Sequence, residues 1–169
     1  RIDMAFKYAD SEIGMQPLTE TSTTQNHELG KIVKGVDPDA GEGKFIYLKG
    51  VGSTVVGSWV TYNADDWSTT LIVANAIGPV AVAMSANVAN QYGWYQINGK
   101  AVVDAATVSD NGNVYASATP GELDDAAVAG DLVHNAKFAS ANGTPSAGLA
   151  ELELSRPWMD DDVDDNLGP

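Results

Sequence analysis

The sequence predicts an all-β fold, an antiparallel β-sandwich or barrel of the jelly-roll type with an extended N-terminal arm. Short runs rich in β-branched and aromatic residues recur along the chain, three Asn-Gly pairs separate some of them, and no long amphipathic helix stands out. The 169 residues suffice for one domain with a real core. We therefore divide the chain into an arm (1–29), a β domain (30–157) and an acidic C-terminal tail (158–169).

The first 29 residues are predicted to be an extended arm. Apolar and polar residues alternate only briefly near its start, and residues 19–24 are nearly all hydroxyl-bearing or acidic. Its large apolar side chains are spaced along the segment, as anchors on a neighbouring protein would be. The expected partner-binding anchors are Phe6, Tyr8, Ile13, Met15 and Leu18.

Nine segments after Gly30 have the composition of β-strands, because Val, Ile, Thr, Tyr and Trp are enriched in them. Residues 44–49 form an almost unbroken apolar run, as in a buried strand. Residues 150–154 alternate apolar and acidic side chains, as in a half-buried antiparallel strand. The predicted strands are 31–36, 44–49, 55–62, 69–74, 80–86, 92–97, 101–105, 114–118 and 149–154.

Local turn and helix signals add two further predictions. Asn98-Gly99 supplies the positive φ angles of a tight turn and has apolar runs on both sides, so residues 92–105 are predicted to form a β-hairpin. In residues 121–140, acidic side chains precede a run of alanines and valine, as in the first turn of a helix. That segment is open between a short helix and β-structure.

The charge of the chain argues against nucleic acid and membrane as partners. Nine Lys and Arg residues against 23 Asp and Glu residues give a net charge of −14, which repels phosphate backbones and anionic lipid. The most apolar region, residues 71–84, contains Asn75, Gly78 and Pro79 and is shorter than the roughly 20 residues that span a bilayer.

The residue pattern indicates no catalytic, cofactor or metal site. The chain has no cysteine and no Gly-x-Ser-x-Gly motif, and a zinc site built on His27 and His134 would need carboxylates for its other ligands. Asp160, Asp162 and Asp164 have the spacing of the first calcium-loop ligands, but an aspartate occupies the position of the required glycine. We predict a non-enzymatic protein without cofactor or metal, and a solvated tail.

Tyr92, Trp94 and Tyr95 form the densest aromatic cluster of the sequence. In a strand, Tyr92 and Trp94 face one side and Tyr95 the other, which favours the core or an oligomer interface. Flat rings can also stack on sugars, so a carbohydrate-binding β-sandwich with this cluster as its platform is the alternative function. Trp158, which follows Pro157, is a candidate to anchor the end of the chain on a partner.

Three stretches resemble the small head decoration proteins, or capsid cement proteins, of tailed bacteriophages. They are residues 78–101 (GPVAVAMSANVANQYGWYQINGKA), 113–124 (NVYASATPGELD) and 130–136 (GDLVHNA). The resemblance covers residues 30–154. It implies a β-rich, non-enzymatic protein, commonly a homotrimer, on the outer capsid surface where major capsid subunits meet.

Together, residues and resemblance predict a structural virion protein that cements neighbouring major capsid subunits and stabilises the phage head. The expected partners are the major capsid protein and further copies of this chain. An arm that adds an edge strand to a capsid subunit would gain main-chain hydrogen bonds and side-chain pockets. Many copies make modest contacts collectively strong. The resemblance supplies no residue-level binding motif, so the expected binding residues rest on the sequence pattern.

Overall fold

The computed structural model describes residues 7–8, 15–37 and 40–161. The chain forms eleven strands and no helix in these residues, so the predicted all-β fold is confirmed. Accordingly, this part of the chain has no helix that could cross a membrane. The strands are β1 (Lys7–Tyr8), β2 (Ile32–Asp37), β3 (Gly41–Lys49), β4 (Trp59–Tyr62), β5 (Thr69–Leu71), β6 (Gly78–Ala83), β7 (Tyr92–Asp104), β8 (Tyr115–Ala116), β9 (Leu123–Asp124), β10 (His134–Phe138) and β11 (Leu149–Met159).

Nine of these strands form one antiparallel sheet that curls into a half-barrel. Their order is β1-β2-β3-β7-β11-β6-β4-β5, with β10 paired to β11 outside this path and an additional pairing of β7 with β6. β8 and β9 form a separate two-stranded sheet. The two longest strands, β7 and β11, pair with different neighbours at their two ends, which allows the sheet to curl.

The apolar patterns of the sequence predict burial in β3 and β11 correctly. β3 lies between β2 and β7, and its residues from Phe45 to Leu48 are buried on both faces. In β11, Ala150 and Leu152 are buried while Glu153 is exposed, as the alternation predicts. β11 continues past the predicted end of the strand to the buried Met159.

The predicted hairpin at residues 92–105 is wrong, because this segment is the single strand β7. Gly99 has the expected positive φ (94°), but it bends a continuing strand instead of reversing the chain. The first half of β7 pairs with β3 and the second half with β11, and Asn98 has a partner on each. The buried Gln96 side chain donates across the bend to the main-chain oxygens of Asn98 (3.1 Å) and Lys100 (2.9 Å).

The short helix considered for residues 121–140 does not form. This fully described segment contains β9 and β10. The Asp124 carboxylate accepts a hydrogen bond from the main chain of Ala126 (3.0 Å) in a turn after β9. Gly130 (φ 81°) and Asn135 (φ 58°) have backbone angles that a right-handed helix cannot contain.

The core of the domain consists of three clusters of buried hydrophobic residues. Because each fully buried large apolar side chain contributes about 1.5–3 kcal/mol, these clusters dominate the stability of the sheet. The first contains Trp59, Val103, Leu123, Phe138 and Leu152 among others. The second contains Ile46, Leu48, Val60, Ala81, Ala83, Tyr95 and Ile97. The third contains Leu18, Val33, Phe45, Tyr47, Met84 and Trp94.

Candidate functional site

Residues 15–29 of the predicted arm lie against the sheet of their own chain, and we call this segment the arm root. Ser22 forms an antiparallel bridge with Tyr92 through two main-chain hydrogen bonds of 2.9 and 2.8 Å. Leu18 is only 3% exposed and belongs to the third core cluster. A Cβ at Gly35 would lie 2.7 Å from Cδ1 of Leu18, so the absence of a side chain in β2 makes room for the arm root.

The main chain of Gln16 forms hydrogen bonds with two aromatic side chains, His27 within the arm root and Trp94 in β7. Its N–H donates to Nε2 of His27 (3.0 Å), and its carbonyl oxygen accepts from Nε1 of Trp94 (2.9 Å). The His27 ring lies 5.1 Å from the Tyr47 ring in an edge-on arrangement and 5.3 Å from the Trp94 ring. Because an imidazole nitrogen must lack a proton to accept a hydrogen bond, this geometry requires an unprotonated Nε2.

Gln16 is a buried residue with 6% of its surface exposed. Its side chain forms four further hydrogen bonds. Its Nε2 donates to the main-chain oxygens of Glu20 (2.7 Å) and Tyr92 (3.0 Å). Its Oε1 accepts from the Tyr47 hydroxyl (2.8 Å) and from Nδ2 of Asn26 (3.0 Å). A buried amide is stable only when its polar atoms are satisfied, so this network specifies one position for the arm root.

The Tyr47 hydroxyl is kept in its protonated, donating form. Burial raises the pKa of Tyr47, and the hydrogen bond from the main chain of Asn26 only partly offsets this effect. The neutral hydroxyl can therefore donate to Gln16 over the whole physiological pH range.

The structure places three of the five predicted arm anchors. Tyr8 pairs with Gly35 in the short ladder between β1 and β2. Met15 is partly buried and packs against the third core cluster, and Leu18 is inside that cluster. The other two, Phe6 and Ile13, lie outside the described residues.

The predicted aromatic cluster is mostly enclosed in the core. Trp94 and Tyr95 have no exposed surface and lie in different core clusters, which confirms that they face opposite sides of β7. The Tyr95 hydroxyl accepts a hydrogen bond from Nδ2 of Asn87 (2.7 Å), and burial raises the pKa of Tyr95 to about 12. Tyr92 is half-buried and stacks near Tyr47 at 6.4 Å. A sugar platform at these residues would need an exposed ring face, which among the three only Tyr92 retains.

A polar hollow of about 300 Å³ lies at the C-terminal end of β7. Its lining includes Asp104, Ser58, Thr119 and Glu122. Burial raises the pKa of Asp104, and the Ser58 hydroxyl, 3.5 Å from the carboxylate, partly offsets this effect. The hollow therefore contains a carboxylate that holds its proton more tightly than an exposed one.

The described residues contain no group of three or more His, Asp or Glu side chains arranged to hold a metal ion. Asp160 lies 3.5 Å from Nε2 of His134 as an ion pair if the imidazole is protonated. Asp162 and Asp164, the other two residues with calcium-loop spacing, lie outside the described residues.

Gln16 is the residue that the sequence analysis missed. Nothing in the local pattern distinguishes it from Gln25, which is exposed. Its burial results from aromatic residues that lie 31 and 78 positions further along the chain.

The chain matches no protein-family model and no curated protein.

Proposed function

We propose that this protein is a structural virion protein that binds the outer capsid surface of a tailed phage, as a homotrimer, and cements neighbouring major capsid subunits. The observation that carries the proposal is the arm root. A non-enzymatic clamp needs a firm attachment from which a binding segment reaches a neighbour, and the Gln16 network provides such an attachment. The resemblance of residues 78–101, 113–124 and 130–136 to decoration proteins supports the same function.

β1, which precedes the arm root in the chain, lies at one edge of the sheet. β1 pairs there with Gly35 and Val36 of β2, so the N-terminal segment already forms main-chain hydrogen bonds at this edge. On β2 the side chain of Val33 is buried, whereas those of Ile32 and Val36 are exposed. Edge strands accept additional strands from partner proteins, and exposed apolar side chains provide specificity. We place the capsid contact at the edge formed by β1 and β2.

A fixed root strengthens binding because less conformational entropy is lost when the arm meets its partner. Each contact on a capsid can then be modest, since many copies act together on one shell. The shell is stabilised when each bound copy spans two capsid subunits.

The proposal is tested by comparing shells that carry the protein with shells that lack it, after heating and after osmotic shock. We expect complete shells to survive both treatments at conditions that open the bare shells. Equal survival of the two preparations would overturn the proposal.

A truncated chain tests the role of the arm. Removal of residues 1–14 leaves Gln16 and Leu18 in place, so we expect a folded protein that does not protect shells. Removal of residues 1–29 also takes away part of the third core cluster, and we expect that variant to lose stability. Full protection by the 1–14 deletion would show that the arm is not the binding segment.

A further inference from the structure

His27 holds the arm root through a hydrogen bond that depends on its protonation state. The residue is half-buried, and its Nε2 accepts a hydrogen bond of 3.0 Å from the main-chain N–H of Gln16. An imidazole nitrogen that carries a proton has no lone pair and cannot accept such a bond. A proton added at Nε2 would therefore set two N–H groups against each other.

The N–H of Gln16 needs this acceptor because the residue is buried. Its carbonyl oxygen is bonded to Trp94 of β7 and its side chain to Tyr47 of β3. A buried main-chain donor without an acceptor is unfavourable, so loss of the acceptor favours a state in which Gln16 reaches water. Gln16 gains that access when the arm root moves off β3 and β7.

The groups around His27 allow the ring to gain a proton. The rings of Tyr47 and Trp94 lie 5.1 and 5.3 Å from the imidazole ring. Both are neutral, since burial raises the pKa of Tyr47. The arm root has two acids, Glu20 and Glu28. Among the described residues, the other titratable side chains before β2 and on the same side of β3 and β7 are Lys31, Tyr47, Lys49 and Tyr92. Two acids and two lysines are equal in number, so neither sign of charge predominates.

We propose that His27 is a pH-sensitive lock on the arm root: the neutral imidazole holds Gln16 against the sheet, and mild acid releases the segment. Histidine is the side chain whose charge ordinarily changes between about pH 5 and 8. Because the docked arm root requires the neutral ring, its stability is present at neutral pH and is lost as the pH falls. The consequence rests on the proposed function, since a released arm root weakens the hold of the arm on the capsid.

Hydrogen exchange of single amides, followed by NMR on the free full chain, tests the lock. The reporter is the Ser22 amide, which donates to Tyr92 (2.9 Å), and the reference is the Ala83 amide, which donates to Ser58 within the sheet (2.8 Å). From about pH 7.5 to about pH 5, after correction for intrinsic rates, the protection of Ser22 should fall by about 10-fold or more, as for one lost buried hydrogen bond. Ala83 should keep its protection. The fall at Ser22 should have the same midpoint as the titration of the His27 ring signals.

Two variants separate His27 from the other titrating groups. His27→Gln supplies an amide oxygen as acceptor and does not titrate in this range, so its Ser22 protection should be equal at both pH values. His134→Gln is the matched control, because it removes the only other histidine of the chain, which lies in β10 outside the arm root. This control should retain the fall at Ser22.

Three results would each overturn the inference: equal protection of Ser22 at both pH values in the unchanged protein, the same fall in His27→Gln, or a parallel fall at Ala83. If Ser22 of His27→Gln exchanges fast at both pH values, the ring signals of the unchanged protein decide. A midpoint that matches His27 supports the lock, and any other midpoint overturns it.

Pelleting of the full chain with capsid shells at the same two pH values tests the consequence. We expect pelleting at about pH 7.5 that is weakened at about pH 5, and weakened less in His27→Gln. A chain that pellets at neither pH would overturn capsid binding and leave the exchange result standing. Equal pelleting at both pH values, despite the loss of Ser22 protection, would overturn the link between the lock and the capsid.

Discussion

Nε1 of Trp94 donates a hydrogen bond of 2.9 Å to the main-chain oxygen of Gln16, 78 positions earlier in the chain. The contact joins the arm root to β7, the strand that pairs with β3, β6 and β11. The arm root is thus held by the middle of the sheet.

Gln16→Ala should destabilise the domain by about 2–3 kcal/mol, because the buried Tyr47 hydroxyl loses its acceptor and two main-chain oxygens lose a donor. The free energy of unfolding in urea measures this effect. Gln25→Ala is the matched control, since the hydrogen bond that its side chain donates to the main chain of His27 is exposed, and it should change stability by less than about 0.5 kcal/mol. Equal effects of the two substitutions would show that the Gln16 network does not hold the arm root.

The bend in β7 predicts a large difference between two glycine substitutions. Gly99 and Gly143 both have positive φ angles (94° and 102°), but a Cβ at Gly99 would lie 2.6 Å from the main-chain oxygen of Glu42, whereas nothing lies within 4 Å at Gly143. Gly143→Ala should therefore lower the free energy of unfolding by only about 1–2 kcal/mol, the cost of a positive φ at a residue with a Cβ. Gly99→Ala should lower the free energy of unfolding by about 1–3 kcal/mol more, because the main chain at Glu42 must move to make room for the Cβ. Thermal melting of both variants measures the difference, and similar melting temperatures would contradict the tight packing at the bend.

The sequence predicts burial within single strands but not how distant strands meet. The patterns in residues 44–49 and 150–154 predict the burial of β3 and β11, because the period of a strand links sequence directly to its two faces. Asn98-Gly99 predicts a positive φ at Gly99 correctly but not its consequence. The same local conformation occurs in a hairpin turn and in a bent strand. Here the strand continues because its two halves pair with β3 and β11, which are distant in sequence.

The arm root was unpredictable for the same physical reason. Polarity and spacing place Gln16 and Leu18 in an arm, and these criteria contain no information about Gly35 or Trp94. Only the tertiary arrangement brings a gap in β2 and an indole donor to the same place. The sequence singles out Trp158 because it follows Pro157, but the stacking of its ring on His134 depends on the pairing of β10 with β11.

Asp104→Asn should raise the stability of the domain at neutral pH. Burial raises the pKa of Asp104, so the folded state binds its proton more tightly than the unfolded state does. The stabilisation from the protonated form is complete below the unfolded pKa and is lost as the pH rises through the raised, folded pKa. The extra stability of Asp104→Asn should thus be present at neutral pH, where the aspartate is charged, and should vanish in acid, where it is protonated. Melting temperatures measured against pH test this, with the exposed Asp110→Asn as control.

Tyr95→Phe should lower the stability of the domain at neutral pH. The variant should also lose less stability than the unchanged protein when the solution is made alkaline. The hydroxyl accepts from Asn87, so its removal leaves a buried amide donor unsatisfied, at about 1–3 kcal/mol. Because the pKa of Tyr95 is about 12 in the folded state against an ordinary 10.0, its contribution is lost as the pH rises from 10.0 to about 12. The stability difference between the two proteins should shrink over that range. A constant difference in urea unfolding from neutral to alkaline pH would contradict the burial of this hydroxyl.

Co-sedimentation tests the central claim most directly. The full chain is mixed with shells assembled from the major capsid protein that is proposed as its partner, and the pellet is assayed for the chain. We predict that the full chain pellets with the shells, whereas a folded variant without residues 1–14 stays in the supernatant. A full chain that stays in the supernatant, at concentrations where light scattering gives the proposed mass of three chains, would contradict capsid binding.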